Sequence, residues 1–283
     1  MIRMIRATAS MVLIILMATA AAAETPVERG RYLVEAVLAC GNCHSPRTPP
    51  EMTIIPGKEL SGGRSVDTPA FKVTPGNITQ DKKTGIGDWT ADELKAFLRT
   101  GMRPNGVPIA PAMPVNLIKA LTPSDLDAVV AYLLTVPAIA SEAEGPNYKR
   151  EFQHDPYPDA EKPFRPDEMA SDPIVRGRYL AALTHCLECH TSAVNGVTDY
   201  ANSAGRGGKK FTRGTVTANN ITSHATKGIG RWTADEIKRA MIQGIAKDGR
   251  TLKYPMPWPY FAKLTASDLD ALVQWVRTLP PKE

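Results

Sequence analysis

Cysteine is scarce in this chain. There are four among 283 residues, and all of them fall in two short clusters. None lies near the N-terminus to carry a lipid. A basic stripe is also missing. The formal excess of +5 is scattered, and Arg3 and Arg6 lie in a segment expected to be removed, so no nucleic-acid partner is expected. Beyond the N-terminus no stretch approaches the about 20 apolar residues that a spanning helix needs. No run alternates apolar and polar residues as a half-buried strand does. What is present, 43 % hydrophobic and 22 % charged residues, suits a soluble globular protein with room for one large domain or two modest ones.

The N-terminus reads MIRMIRATASMVLIILMATAAAAETP. Two arginines precede an apolar run from Met11 to Ala20, and small residues follow. This order predicts a secretory signal peptide over 1–23, cleaved near Ala23. The competing reading, an uncleaved anchor, asks for a longer apolar stretch. Export to a bacterial periplasm is the expectation.

In an oxidising compartment four cysteines usually mean two disulfides. A redox dithiol or a zinc site are further readings of a C-x-x-C spacing. None of the three explains the histidine that follows each pair, in CGNCH (Cys40, Cys43, His44) and CLECH (Cys186, Cys189, His190). C-x-x-C-H is the attachment sequence of c-type haem. Two thiols add to the two porphyrin vinyl groups, and the adjacent imidazole becomes the proximal iron ligand. Two copies that use every cysteine predict two covalently attached haem c groups.

The chain repeats itself around these motifs. RGRYL occurs at Arg29–Leu33 and again at Arg176–Leu180. The 17 residues from Asn77 recur from Asn220 with eleven identities, and the 17 from Leu121 recur from Leu264 with ten. The block order is the same both times, so the chain reads as a tandem duplication of one haem module. Boundaries follow: a first domain over 24–140, a Pro-rich linker over 141–173 that crosses the surface in extended form, and a second domain over 174–283. Tyr148, Phe152, Tyr157 and Phe164 are the linker's candidate packing residues.

Local signals within each module are helical. Thr90 with Glu93, and Thr233 with Glu236, form capping boxes, while Gly101 and Gly244 suit C-terminal stops. Thr122 and Pro123 open the last helix of the first module. The expected fold class is all-α, with three main helices per module joined by long loops that a buried porphyrin would order.

The repeat also selects a second iron ligand. Met113 in PAMP and Met256 in YPMP stand 143 residues apart, the same offset as Trp89/Trp232 and Asn77/Asn220. Proline on both sides stiffens each loop. Met113 and Met256 are the predicted distal ligands, the alternative being a methionine packed on the haem face. The other histidines, His154, His185 and His224, have no repeat partner. Trp89, Trp232, Arg64 and Arg206 are candidates to contact haem propionates, or are a plain core tryptophan pair and two solvated loop arginines. Histidine–methionine ligation saturates an iron and raises its potential, which suits an electron carrier rather than an oxygenase or peroxidase.

The RGRYL…CGNCHSP, NITQDKKTGIGDWTADE and PAMPVN…LTPSDLDAVVAYL blocks resemble the modules of class I cytochromes c. They are most similar to the cytochrome c subunits of quinoprotein alcohol dehydrogenase and gluconate dehydrogenase. The resemblance covers nearly the whole chain outside the linker. It implies tandem class I domains, covalent haem c, and transfer of electrons from a periplasmic dehydrogenase (quinoprotein, flavin or molybdenum type) to another cytochrome or a terminal oxidase. Those subunits carry three modules and a membrane-associating tail, whereas two modules are expected here, so the resemblance leaves quinone reduction and membrane association open for this chain. In the class I fold the first and last helices cross, where Tyr32 and Tyr179 are expected to pack near Tyr132 and Trp275. The competing function is a dihaem enzyme of thiosulfate dehydrogenase or peroxidase type. Such an enzyme needs an iron with an open or unusual sixth position, for which no spare cysteine exists.

Overall fold

The computed structural model describes residues 23–49, 52–157, 160, 164–211 and 215–283. The expected signal peptide lies outside the described residues apart from Ala23. In chain order the helices of the first module are α1 (Pro26–Tyr32), continued by a π-helical turn (Leu33–Val37), α2 (Gly41–His44), α3 (Ala91–Thr100), α4 (Val115–Ile118) and α5 (Pro123–Leu133). Next come α6 (Pro166–Ser171), α7 (Pro173–Leu183), α8 (Cys186–Cys189), α9 (Tyr200–Ser203), α10 (Ala234–Gln243), α11 (Trp258–Phe261) and α12 (Ala266–Val276). Among the described residues no helix is long and apolar enough to cross a membrane.

The caps act as their residue types dictate. Thr25, Thr90 and Thr233 each accept from the backbone N–H three residues on, and Glu28, Glu93 and Glu236 return the bond. Gly101 and Gly244 close α3 and α10 in the left-handed region, at φ 71° and 67°, where a side chain is disfavoured.

The all-α expectation is overturned. Nine short strands form four small antiparallel sheets among the described residues, giving a mixed α/β fold. β1 (Arg47–Thr48) pairs with β2 (Thr53–Ile54). β3 (Val66–Asp67), β4 (Phe71–Val73) and β5 (Asn147–Tyr148) make a three-stranded sheet. β6 (Ala193–Val194) pairs with β7 (Val197–Thr198), and β8 (Lys210–Phe211) with β9 (Val216–Thr217). The physical reason lies in the long loops, whose backbone groups must find partners and do so by pairing two or three residues at a time. Strands so short carry no period-2 pattern.

Helix crossings build the core. α1 packs on α5, and α7 on α12. A Cβ at Gly30 would lie 1.9 Å from the Ala128 carbonyl oxygen, and one at Gly177 would lie 2.1 Å from that of Ala271. Glycine is what permits each crossing. The apolar core is continuous through both modules, from Leu33, Val37 and Val129 to Leu180, Leu183 and Leu272.

The linker is more structured than an extended crossing. It contributes β5 to a sheet of the first module and also holds α6. Phe152 stacks edge-on against Phe71, while Tyr157 meets Tyr200 and Phe164 meets Tyr179. Its first half is thus pinned to the first module and its second half to the second. The first and last helices of each module cross as expected, and the crossing carries a further contact. The hydroxyls of Tyr32 and Tyr179 reach across to the other module's last helix, to Asp268 and Asp125.

Candidate functional site

Each C-x-x-C-H motif forms one helical turn set off by a strained residue. Ala39 and His185, immediately before the first cysteine, both take the left-handed region, at φ 49° and 59°. A non-glycine residue there costs on the order of 1 kcal/mol, so the surrounding packing holds the chain in that bend both times. The turn then closes with His44 N–H donating to the Cys40 carbonyl at 2.9 Å and His190 N–H to that of Cys186 at 3.0 Å.

The imidazoles are oriented identically. His44 Nδ1 lies 2.7 Å from the Gly76 carbonyl oxygen, and His190 Nδ1 lies 2.7 Å from that of Asn219. A carbonyl can only accept, so Nδ1 carries the proton and Nε2 keeps a free lone pair. Burial pushes both histidines below the usual imidazole range, which favours the neutral, ligand-competent form. Gly76 and Asn219 are imidazole-orienting positions that the sequence reading missed. Their signal was available, because each directly precedes an NIT block. That block holds the carbonyl in place. Asn77 donates to the Ile139 carbonyl at 2.7 Å and Asn220 to that of Lys282 at 2.6 Å. The loop is thereby tied to the segment following the last helix of its own module.

The first motif faces a cavity of about 1840 Å³, larger than the about 300–1,000 Å³ of small-molecule pockets. Cys40, Cys43 and His44 line it, and so do Arg64, Trp89 and Met113. The structure therefore brings the whole first set of predicted site residues to one cavity. Trp89 stands edge-on to Phe97 at 5.3 Å. Arg64 places a guanidinium nitrogen 3.9 Å from the Met52 sulfur. Residues of the second module reach the same cavity, among them His185, Glu188, Cys189 and Tyr254.

The second set is arranged differently. Of its members only Cys189 lines that cavity. Met256 packs against Ala39, Tyr260 and Phe261, and Trp232 and Cys186 pack on the main core. Arg206 donates to the Glu283 backbone carbonyl.

Thiol chemistry separates the competing readings. All four cysteines are free of disulfides. A redox dithiol needs a depressed thiol pKa. Here the half-buried thiols of Cys40, Cys186 and Cys189 are raised by desolvation, and none of the three is depressed. Among the described residues no three His, Cys, Asp or Glu side chains converge as a metal-ligand group. Two thiols on one helical turn, an imidazole with a free Nε2 and a thioether on the same cavity match a covalently held iron porphyrin.

Comparison with known proteins agrees. Residues 174–280 match the cytochrome c family. The chain is 28 % identical to the fructose dehydrogenase cytochrome subunit of Gluconobacter japonicus, over 93 % of this chain and 55 % of that protein. It is 28 % identical to the gluconate 2-dehydrogenase cytochrome c subunit of Pantoea cypripedii, over 91 % of this chain and 60 % of that protein. A diheme cytochrome c-type protein of Cereibacter sphaeroides is also 28 % identical, over 74 % of this chain and 70 % of its own length. The chain thus spans little more than half the length of the two dehydrogenase subunits.

Proposed function

We propose that this chain, which carries a cytochrome c domain, is a dihaem electron carrier of the periplasm. It takes electrons from a dehydrogenase of quinoprotein, flavin or molybdenum type and passes them to another cytochrome or a terminal oxidase. The observation that carries the reading is the repeated imidazole geometry, His44 on Gly76 and His190 on Asn219, each beside a C-x-x-C turn. In this reading residues 1–23 direct export, and the two domains span 24–140 and 174–283 on either side of the linker.

Cys40 and Cys43 would tether one haem c, and Cys186 and Cys189 the other. When bound, the iron porphyrin supplies a one-electron redox couple. His44 and His190 present Nε2 as proximal donors, and the carbonyls of Gly76 and Asn219 hold the imidazoles in that tautomer. Met113 and Met256 would each offer a soft thioether sulfur as the second protein ligand. A haem held by an imidazole and a thioether of this chain would supply electron transfer rather than substrate chemistry. Trp89 and Arg64, on the cavity wall, are the propionate contacts proposed for the first site. Trp232 and Arg206 are their counterparts, with Arg206 exchanging its bond to the Glu283 carbonyl.

Methionine replacement tests this. Met113→Ala and Met256→Ala are each expected to remove part of the weak near-infrared charge-transfer band and to lower one of two potentials. The reduced wild-type protein is expected to be reoxidised rapidly by a partner cytochrome, with no turnover of peroxide, thiosulfate or primary alcohols. Sustained turnover of any of these would overturn the carrier reading.

A further inference from the structure

Two tyrosines exchange partners between the modules. Within the first module Arg29 grips Asp125 with two nitrogens, at 2.8 and 2.9 Å. Within the second, Arg176 Nε donates to Asp268 at 2.5 Å. Each of these carboxylates then accepts a phenolic hydroxyl from the other module. Tyr32 donates to Asp268 at 2.5 Å and Tyr179 donates to Asp125 at 2.5 Å. Each phenol oxygen in turn accepts the backbone N–H that opens its partner's last helix. Thr265 N–H lies 3.3 Å from Tyr32 and Thr122 N–H lies 3.4 Å from Tyr179. The Asp268 side chain is 1 % exposed and that of Asp125 is 10 % exposed.

The arginines, tyrosines and aspartates of this arrangement all sit in a repeated block, RGRYL or SDLD. Module one gives to module two what it receives, which is the signature of an isologous interface inside one chain. Packing is reciprocal too. α4 packs on α7, and α11 packs on the π-helical turn that continues α1.

The two tyrosine-bearing segments lead directly into the two C-x-x-C-H turns. Their relative placement therefore sets how the turns face one another. They do meet. Asn42 donates to the Pro255 carbonyl at 3.0 Å, and the Arg47 guanidinium lies 5.2 Å from the centre of the Tyr254 ring. Cys189 and Glu188 line the cavity of the first motif. A hydrogen bond between a phenol and a buried, arginine-paired carboxylate is short, directional and charge-assisted, so it resists sliding in a way that apolar packing does not.

We propose that the crossed Tyr32–Asp268 and Tyr179–Asp125 bonds form a reciprocal latch that fixes the orientation of the two haem sites and so governs electron exchange between them. This rests on the dihaem reading above. The step is a single electron leaving the reduced iron and arriving at the oxidised iron of the same chain, with no bond made or broken. Tyr32 and Tyr179 are positioning residues. Each acts through the seam between modules and touches neither iron ligand.

The test uses the full-length holoprotein with Tyr32→Phe, Tyr179→Phe and the double change, which delete hydroxyls and keep the rings. Four quantities are read: haem content, the near-infrared methionine band, the exciton couplet in Soret circular dichroism, and hydrogen exchange of α5 and α12. Both haems and both methionine ligands are expected to remain. Either single change is expected to speed exchange about tenfold, the fold-change for losing one hydrogen bond to a charged group. It should do so in α5 and α12 together, because opening one contact parts the other. In the double variant the couplet should collapse and exchange between the irons after flash reduction should slow.

Exchange that quickens only in the helix a given tyrosine touches, with an undiminished couplet, overturns the latch. So does a wild-type protein with two haems and no couplet. Fewer than two haems in the wild type instead overturns the dihaem reading. Should the variants not fold, exchange in the wild type at low denaturant decides. α5 and α12 must then open with one shared free energy, and different values contradict the proposal.

Discussion

Tyr32 shows how a single group ties stability to pH. Burial is the main cause, with the Asp268 bond second, that lifts its phenol from 10.0 to about 12. A group whose folded pKa exceeds its unfolded value binds its proton more tightly when folded. Its contribution is therefore complete below about pH 10 and is lost as pH rises toward 12. Tyr179, Tyr132 and Tyr260 are raised in the same direction. Denaturant midpoints of the holoprotein are expected to fall across that window, and Tyr32→Phe is expected to flatten the fall without abolishing it. An unchanged slope in Tyr32→Phe would mean that its phenol titrates normally in the folded protein. Residue-level chemistry was the most legible part of the sequence. Cys40, Cys43 and His44 follow from covalent spacing alone, and the cavity gathers them with Met113, Trp89 and Arg64. Gly76 and Asn219 escaped because a backbone carbonyl leaves no mark in residue type; only their shared place before a repeated NIT block marks them. Arg206 could be nominated by repeat position, yet its bond to the Glu283 carbonyl depends on where the chain returns in space.

Among the elements, the helices were legible and the strands were not. Thr90/Glu93 and Thr233/Glu236 announce their helices because a cap is a local bargain between residues three apart. The pairs β3–β4 and β8–β9 depend on loop closure, which two residues cannot signal. One strand signal was present. Asn195–Gly196 joins Val194 to Val197 across β6 and β7, and both turn residues take positive φ, 53° and 84°, as a two-residue hairpin requires. The crossings of α1 with α5 and of α7 with α12 make a sharper prediction. Alanine would gain about 0.5–1 kcal/mol over glycine in an open helix. At Gly30 and Gly177 the added methyl meets backbone oxygen at 1.9 and 2.1 Å, and overpacking of that kind costs about 1–3 kcal/mol or more. Gly30→Ala and Gly177→Ala are each expected to lower Tm by several degrees. Gly145→Ala, with nothing within 4 Å, is the matched control and is expected to be near neutral. Equal Tm values across the three would contradict the close crossing.

On the scale of the whole molecule, the two halves share a core and exchange tyrosines, an arrangement that no single-module pattern encodes. The duplication was visible in the repeated blocks. The seam was not, because RGRYL and SDLD read equally well as contacts within a module, and Arg29–Asp125 and Arg176–Asp268 are such contacts. The relay proposed for this chain requires that both modules carry a covalent haem. The most direct measurement is the intact mass and haem content of protein made with a haem-ligation system, before and after acid–acetone extraction. The wild type is expected to retain two haems and Cys186→Ala/Cys189→Ala to retain one. A wild-type mass equal to the bare chain, or four cysteines recovered as two disulfides, would contradict the account.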